Sequence, residues 1–414
     1  MTRANALVLI LAAALPASAA ASRGGHWPQF HGPNRDNVSA ETGLLKQWPK
    51  DGPRLLWKFA ECGRGYAGVA VVDGRIFTSG DFGDTELVLA LDLDGKLLWK
   101  TPNGKSWRGS TPGSRATPTW CDGTLYHMNP LGRLAALDAA TGKELWAVDL
   151  MKDFRARLST WAYGENVLVE GNLVLCAPGG ELGRVVALDK ATGKTVWANT
   201  EIQDGVSYGS AIVVAHNGVR QLIALLQKTV VGVDVATGKL LWTHGHRNPY
   251  NQNSTRPVFH DGHVFVTSGH KAGGRLLRLS PKSDAVKEVW FSEEFDNCHG
   301  GVLVLGDRLY GSGCRLYHKG LLCVEFATGK TVYRAEALGK VSTTWAEGLL
   351  YCIDQDGMTS LVNAGPQEAG IISRFKIPWE AKDQSLAHPV VCGGRLYLRH
   401  DKNLFAYDVS AESE

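Results

Sequence analysis

Ala136-Leu137-Asp138-Ala139-Ala140-Thr141-Gly142-Lys143-Glu144-Leu145-Trp146 is the stretch that decides the fold. Apolar residues lead into an Asp, Thr-Gly-Lys makes a turn, and an aromatic closes the unit. The pattern returns as Ala187-Leu188-Asp189 with Thr192-Gly193-Lys194 and Trp197, and as Gly232-Val233-Asp234 with Thr237-Gly238-Lys239 and Trp242. It returns again as Cys323-Val324-Glu325 with Thr328-Gly329-Lys330 and Tyr333. The copy ending at Trp99 is one residue shorter, the copy ending at Trp290 has an expanded turn, and the copy ending at Phe375 is degenerate. With Trp57 added, aromatic ends fall at Trp57, Trp99, Trp146, Trp197, Trp242, Trp290, Tyr333 and Phe375, spaced 42 to 51 residues apart. A period of this length marks a repeat architecture.

A second register gives the same count. A Gly-containing dipeptide flanked by apolar residues precedes each motif: Asp73-Gly74, Asp122-Gly123, Glu170-Gly171, Asn217-Gly218, Asp261-Gly262, Gly306-Asp307, Glu347-Gly348 and Gly393-Gly394. Such pairs favour tight hairpins. Each unit therefore reads as four short antiparallel strands, A to D, with the hairpin between A and B and Thr-Gly-Lys between C and D. Repeated at this period, such units make an all-β, eight-bladed β-propeller. The Asp accepts hydrogen bonds from its own turn, and the aromatic packs between neighbouring blades. The last copy, Ala406-Tyr407-Asp408, is followed by no Trp, while Leu55-Leu56-Trp57-Lys58-Phe59 has no strands before it. Residues 387–409 are thus expected to supply strands A to C of the eighth blade and residues 55–59 its strand D, closing the ring without an open edge.

At 414 residues with a net charge of +3, the chain offers no electrostatic case for nucleic acid. Residues 1–21 read as a secretion signal: Arg3, an apolar run from 6 to 15, and Ala17-Ser18-Ala19. No stretch is long enough to span a bilayer, and no Cys sits at the cleavage junction. The expectation is an exported, periplasmic, monomeric protein without a lipid anchor. It comprises a signal at 1–21, an N-terminal extension at 22–54, the propeller at 55–409 and a tail at 410–414. Eight Cys are present with no C-x-x-C, so zinc ribbon, thioredoxin-type and covalent haem chemistry are unsupported. Several lie in strand patterns and read as buried apolar residues.

The repeated Ala-x-Asp-x-x-Thr-Gly-Lys-x-x-Trp resembles the tryptophan-docking motif of pyrroloquinoline quinone (PQQ)-like propellers, over residues 55–409. Trp27-Pro28-Gln29-Phe30-His31-Gly32-Pro33-Asn34-Arg35, with Trp161-Ala162-Tyr163-Gly164-Glu165 and Cys176-Ala177-Pro178-Gly179-Gly180, is similar to an exported bacterial subgroup compared with the outer-membrane assembly propeller BamB. The resemblance implies two different functions. Quinoprotein alcohol dehydrogenases hold PQQ and calcium in the central funnel beside a pair of adjacent Cys, a pair this chain lacks. The assembly branch is a scaffold without cofactor.

Loops at one face carry function in such rings. The D-to-A connections and B–C loops offer Arg115, Tyr208, Asn253, Arg256, His270, His299, His388 and Gln227 as ligand-binding residues at the channel mouth, with Arg315 and His318 beside them. Arg, His and amide groups suit an anionic or hydroxyl-rich ligand. No catalytic or metal residue is singled out: G-x-S-x-G, phosphate-loop and H-E-x-x-H motifs are absent. His244-Gly245-His246 has metal-ligand spacing but reads as structural, and the long connection at 147–165 reads as a cover for the channel or a docking loop. The reading is an exported binding or scaffold protein of the cell envelope, with a protein partner or a small-molecule or sugar ligand. A PQQ- and calcium-dependent dehydrogenase of alcohols or sugars and a carbohydrate-binding propeller are the alternatives.

Overall fold

Each Gly dipeptide turns one strand back on the next. In the computed structural model, which describes residues 25–314, 319–378 and 384–411, both residues of Asp73-Gly74 and of Asn217-Gly218 have positive φ (51° and 72°, 47° and 81°). That twist suits a two-residue hairpin. Strands then pair in sequence order into eight four-stranded antiparallel sheets, an eight-bladed propeller. Blades 1 to 7 occupy residues 70–105, 119–149, 168–199, 212–245, 258–292, 302–335 and 341–376. In the eighth, Val390–Cys392, Arg395–His400 and Asn403–Asp408 carry Leu55–Phe59 as outermost strand, with Trp57 opposite Ala406 and Phe59 opposite Leu404. The predicted signal lies outside the described residues.

The repeat motif works as a latch between blades. Asp138 Oδ1 accepts hydrogen bonds from Thr141 N (2.8 Å) and Thr141 Oγ1 (2.6 Å), shaping its own turn. The Gly that follows lies flat under the tryptophan of the preceding blade. A Cβ on Gly193 would stand 2.7 Å from the Trp146 ring, and one on Gly142 2.6 Å from Trp99. Each indole N–H then donates to a carbonyl of the next blade: Trp57 to Leu93 (2.7 Å), Trp99 to Ala139 (3.2 Å), Trp146 to Lys190 (3.0 Å), Trp197 to Val235 (2.9 Å) and Trp290 to Phe326 (2.9 Å). A bulge just before the aromatic resets the register of strands C and D, as between Glu144 and Trp146.

Three of the eight aromatics depart from that scheme. Trp242 donates within its own blade to Gln221 Oε1 at 2.6 Å, because the turn it would meet, 280–284, has no Gly to lie against. Phe375 packs on Trp48 and Tyr407, and Tyr333 lies among the apolar residues between blades 6 and 7.

The N-terminal extension is part of the ring. Trp27 exchanges backbone hydrogen bonds with Val71 of blade 1 (2.7 and 2.8 Å), and Pro28 O accepts from Trp120 N of blade 2 (2.8 Å). The buried Arg35 guanidinium donates to Asn166 O (3.1 Å), Val167 O (2.5 Å) and Ala211 O (2.9 Å), tying blade 3 to blade 4. His31 Nδ1 accepts from Arg256 Nε of blade 5 at 3.2 Å. Val38–Ser39 adds a parallel strand inside blade 7, and Ser39 Oγ donates to Val391 O of blade 8 (2.8 Å). Leu44 and Trp48 finish in the apolar cluster between blades 7 and 8. The segment fills the hub from the A–B hairpin side.

Candidate functional site

The filled hub turns the channel into a blind funnel of about 380 Å³, open on the face of the D-to-A connections. Every blade contributes to its wall, and the N-terminal segment contributes the floor through Phe30. Phe30 stacks on His31 (ring centroids 3.7 Å apart) and meets the edge of His388 (5.7 Å). Trp161 and Tyr208, 5.9 Å apart and T-shaped, form one wall with Tyr66 nearby. Trp161 comes from the long 147–165 connection. The connection on either side of Trp161 is core: Leu150 and Phe154 are buried, and Tyr163 Oη donates to Pro178 O at 2.7 Å.

Positive charge enters through Arg115 and Lys340. Arg115 donates to Gly113 O (3.1 Å) and Thr111 O (2.5 Å), and burial lowers its pKa, partly offset by Tyr66, Asp81 and Tyr208. His299 and His388 carry no charge at neutral pH. Burial pushes His388 down to about 4 and His299 well below the usual imidazole range, with Lys340 adding to the latter. His388 Nε2 lies 3.0 Å from His299 O, and its Nδ1 lies 3.0 Å from Asn37 Nδ2. A carbonyl only accepts and an amide N–H donates, and the 3.0 Å contact of Nε2 with His299 O is shorter than the 3.4 Å contact of Nδ1 with Thr343 O, so the network assigns the proton to Nε2.

Five of the residues expected at the mouth line this funnel together: Arg115, Tyr208, His270, His299 and His388. Three do not. Asn253 is buried, donating its amide to Leu226 O (2.5 Å) and Gln227 O (3.1 Å). Arg256 lies beneath the floor, bound to His31 and to Pro257 O (2.9 Å). Gln227 packs on Gly205 and contacts Ser159 Oγ at 3.5 Å. Successive residues of an extended strand face opposite sides, so neighbours on one connection go to the funnel or into the blade wall. Arg315 and His318 lie outside the described residues. Sequence reasoning missed Phe30, Trp161, Lys340, Gln252, Gln355 and Gln384. The Trp-Pro-Gln-Phe-His run, aromatic and outside the repeat, was the available signal for Phe30.

Among the described lining residues there is no Asp or Glu. Calcium takes six to eight oxygen ligands, usually with carboxylates, so this donor set does not fit a PQQ–calcium centre. His246 is buried and bonded to Ser268 Oγ (2.8 Å) and Arg275 Nε (3.2 Å) while His244 faces Glu288, which separates that pair. Cys298 and Cys314, both outside the strands, form a disulfide at the funnel rim, a pairing the sequence left open.

The family described as outer membrane protein assembly factor BamB matches residues 84–335, more than half of the chain, and the chain belongs to it. Relatives include BamB of Moranella endobia, 23% identical over 283 residues, covering 64% of this chain and 69% of that protein. They also include the quinohemoprotein alcohol dehydrogenase ADH-IIG of Pseudomonas putida, 36% identical over 136 residues, covering 31% of this chain and 18% of that protein. The first three dehydrogenase relatives are matched over only 18 to 27% of their own lengths. Among solved structures, BamB from Moraxella catarrhalis superposes with a TM-score of 0.60 at 17% identity, covering 86% of this chain and 99% of that one. Quinohemoprotein alcohol dehydrogenase from Comamonas testosteroni gives 0.66 at 15% identity, covering 96% and 82%. No helix among the described residues is long and apolar enough to cross a membrane.

Proposed function

We propose that this chain is a non-catalytic binding and scaffold propeller of the cell envelope, exported by its N-terminal signal, whose funnel takes a small anionic ligand with a flat ring. One observation carries this reading. The hub is filled by the chain's own residues 27–39, and the remaining funnel is lined by Arg115, Lys340, the neutral His299 and His388 and aromatic faces, with no described carboxylate. Arg and Lys would meet the anion, and Trp161 and Tyr208 would stack on the ring. Membership of the BamB family supports a partner protein held by the outer surface.

The second reading is a quinoprotein dehydrogenase, favoured by the 36% identity to ADH-IIG over 136 residues. Calorimetric titration of residues 22–414 with PQQ, with and without calcium, separates the two. The expected result is no calcium-dependent binding and no reduction of an artificial electron acceptor by alcohols or sugars. Calcium-dependent micromolar binding with alcohol-driven dye reduction would replace the scaffold reading by the enzyme.

A further inference from the structure

The rim of the funnel carries a cluster of side chains beside the cations and aromatic faces that would meet the anion. His270, on the B–C loop of blade 5, and Cys298 and Cys314, flanking strands A and B of blade 6, bring an imidazole nitrogen and two sulfurs within 4.8 Å of one another. It is the only such cluster of three His, Cys, Asp or Glu ligands among the described residues. The His270 loop is fastened here to the Cys298 loop and to the connection between blades 4 and 5. Asp296 Oδ1 accepts from Lys271 N (2.9 Å), and Asn248 Nδ2 donates to Gly269 O (2.6 Å). Gly269 leaves room for the sulfurs: a Cβ there would stand 2.4 Å from Cys298 Sγ and 2.7 Å from Cys314 Sγ.

We infer that this corner is a redox-gated site for one soft metal cation, ligated by Cys298, Cys314 and His270. While the disulfide stands, neither sulfur offers a thiolate, and the site is closed. Two thiolates and one imidazole, released together, form a donor set that zinc accepts, with a fourth position left for a ligand from the funnel. The gate opens by exchange with a dithiol reductant. One of its thiolates attacks Cys298 Sγ, which is partly exposed in the funnel wall, whereas Cys314 is buried. The S–S bond breaks and Cys314 leaves as thiolate. The second thiol of the reductant then resolves the mixed disulfide. The reductant ends as its own disulfide, the protein has gained two electrons and two protons, and metal binding releases those two protons. Reduction therefore exchanges a covalent fastener for a metal-binding corner at the mouth of the funnel. This holds whether or not the funnel takes an anion.

Zinc alone is the probe, titrated against a chromophoric chelator on full-length mature protein. As oxidised protein it should take up none at this site. After phosphine reduction it should take up one zinc per chain. The C298S/C314S variant retains the other six cysteines and should show no reduction-dependent uptake, while H270A should bind at least about tenfold more weakly. Circular dichroism confirms the fold of each variant. Three results would overturn the inference: no added uptake on reduction, equal uptake by C298S/C314S, or unchanged affinity in H270A.

Discussion

At the girdle of the ring, five tryptophans each hand an indole N–H to a carbonyl of the following blade, over a Gly that gives the ring its place. At the hub, a single segment does the joining, and no residue in it recurs. Arg35 alone answers carbonyls of blades 3 and 4, His31 reaches blade 5, and residues 38–39 extend blade 7. The girdle is a nearest-neighbour device repeated around the circle, so damage there is local. The hub is many-bodied, so one residue tensions several blades at once. The difference teaches where a propeller of this kind can vary. A degenerate latch such as Trp242, turned inward to Gln221, is tolerated because its neighbours still hold.

The comparison can be broken at its strongest point by removing the strand that closes the girdle. Deleting residues 55–59 leaves the edge of Asn403–Asp408 unpaired and removes the Trp57–Leu93 latch. Loss of a single cooperative thermal transition is the expected outcome. An unchanged melt would show that closure is unimportant. At the hub, Arg35→Ala strips donors from three buried carbonyls and leaves Glu165 without its nearby positive charge. The expected loss is about 3 kcal/mol in urea unfolding. A loss under about 1 kcal/mol would mean that the segment merely lies in the hub.

A smaller pair of substitutions isolates the latch itself. Gly193 and Gly74 share nearly the same φ (71° and 72°), but only Gly193 faces a ring, that of Trp146; Gly74 faces open space. Backbone strain should cost both alanine variants about 1–2 kcal/mol, and overpacking should add about 1–3 kcal/mol to Gly193→Ala alone. Equal losses would remove docking from the account of the girdle.

The smallest expected effect is a pH dependence at the hub. The His388 imidazole stays neutral in the fold down to about pH 4, whereas its ordinary value is 6.5. Unfolding takes up a proton between those values, so this contribution to stability falls as pH falls through that window. His31 and His299 act in the same sense. Glu165, raised to about 7 by burial, acts oppositely: its contribution falls as pH rises from 4.5 to 7. His388→Gln should therefore shrink the drop in Tm between pH 7 and pH 5, measured by calorimetry. A drop as large as in the unsubstituted protein would place the acid sensitivity elsewhere.

The candidate site was half legible. Arg115, Tyr208, His270, His299 and His388 could be located by counting from each motif to the next strand, because the repeat fixes which connection reaches the channel. Asn253 and Arg256 stand on an equivalent connection but turn away from the funnel, to Leu226 O and to His31. That choice depends on local pleat and on what occupies the hub, neither of which a spacing reveals. The floor residue Phe30 lies outside the repeat, where periodicity has nothing to say.

Blade number, the order of strands, the Asp–Thr turn and the pairing of residues 55–59 with the last blade were determined by the sequence alone. All are local or periodic, and patterns of apolar alternation, Gly and Asp carry them directly. Only the tertiary structure decided that residues 27–39 fill the hub, that Cys298 meets Cys314, and that the channel ends blind. These depend on contacts between residues far apart in the chain, such as Arg35 with Ala211 or Asn37 with His388. Such contacts need the closed circle of eight blades, which leaves a space that one particular segment fits.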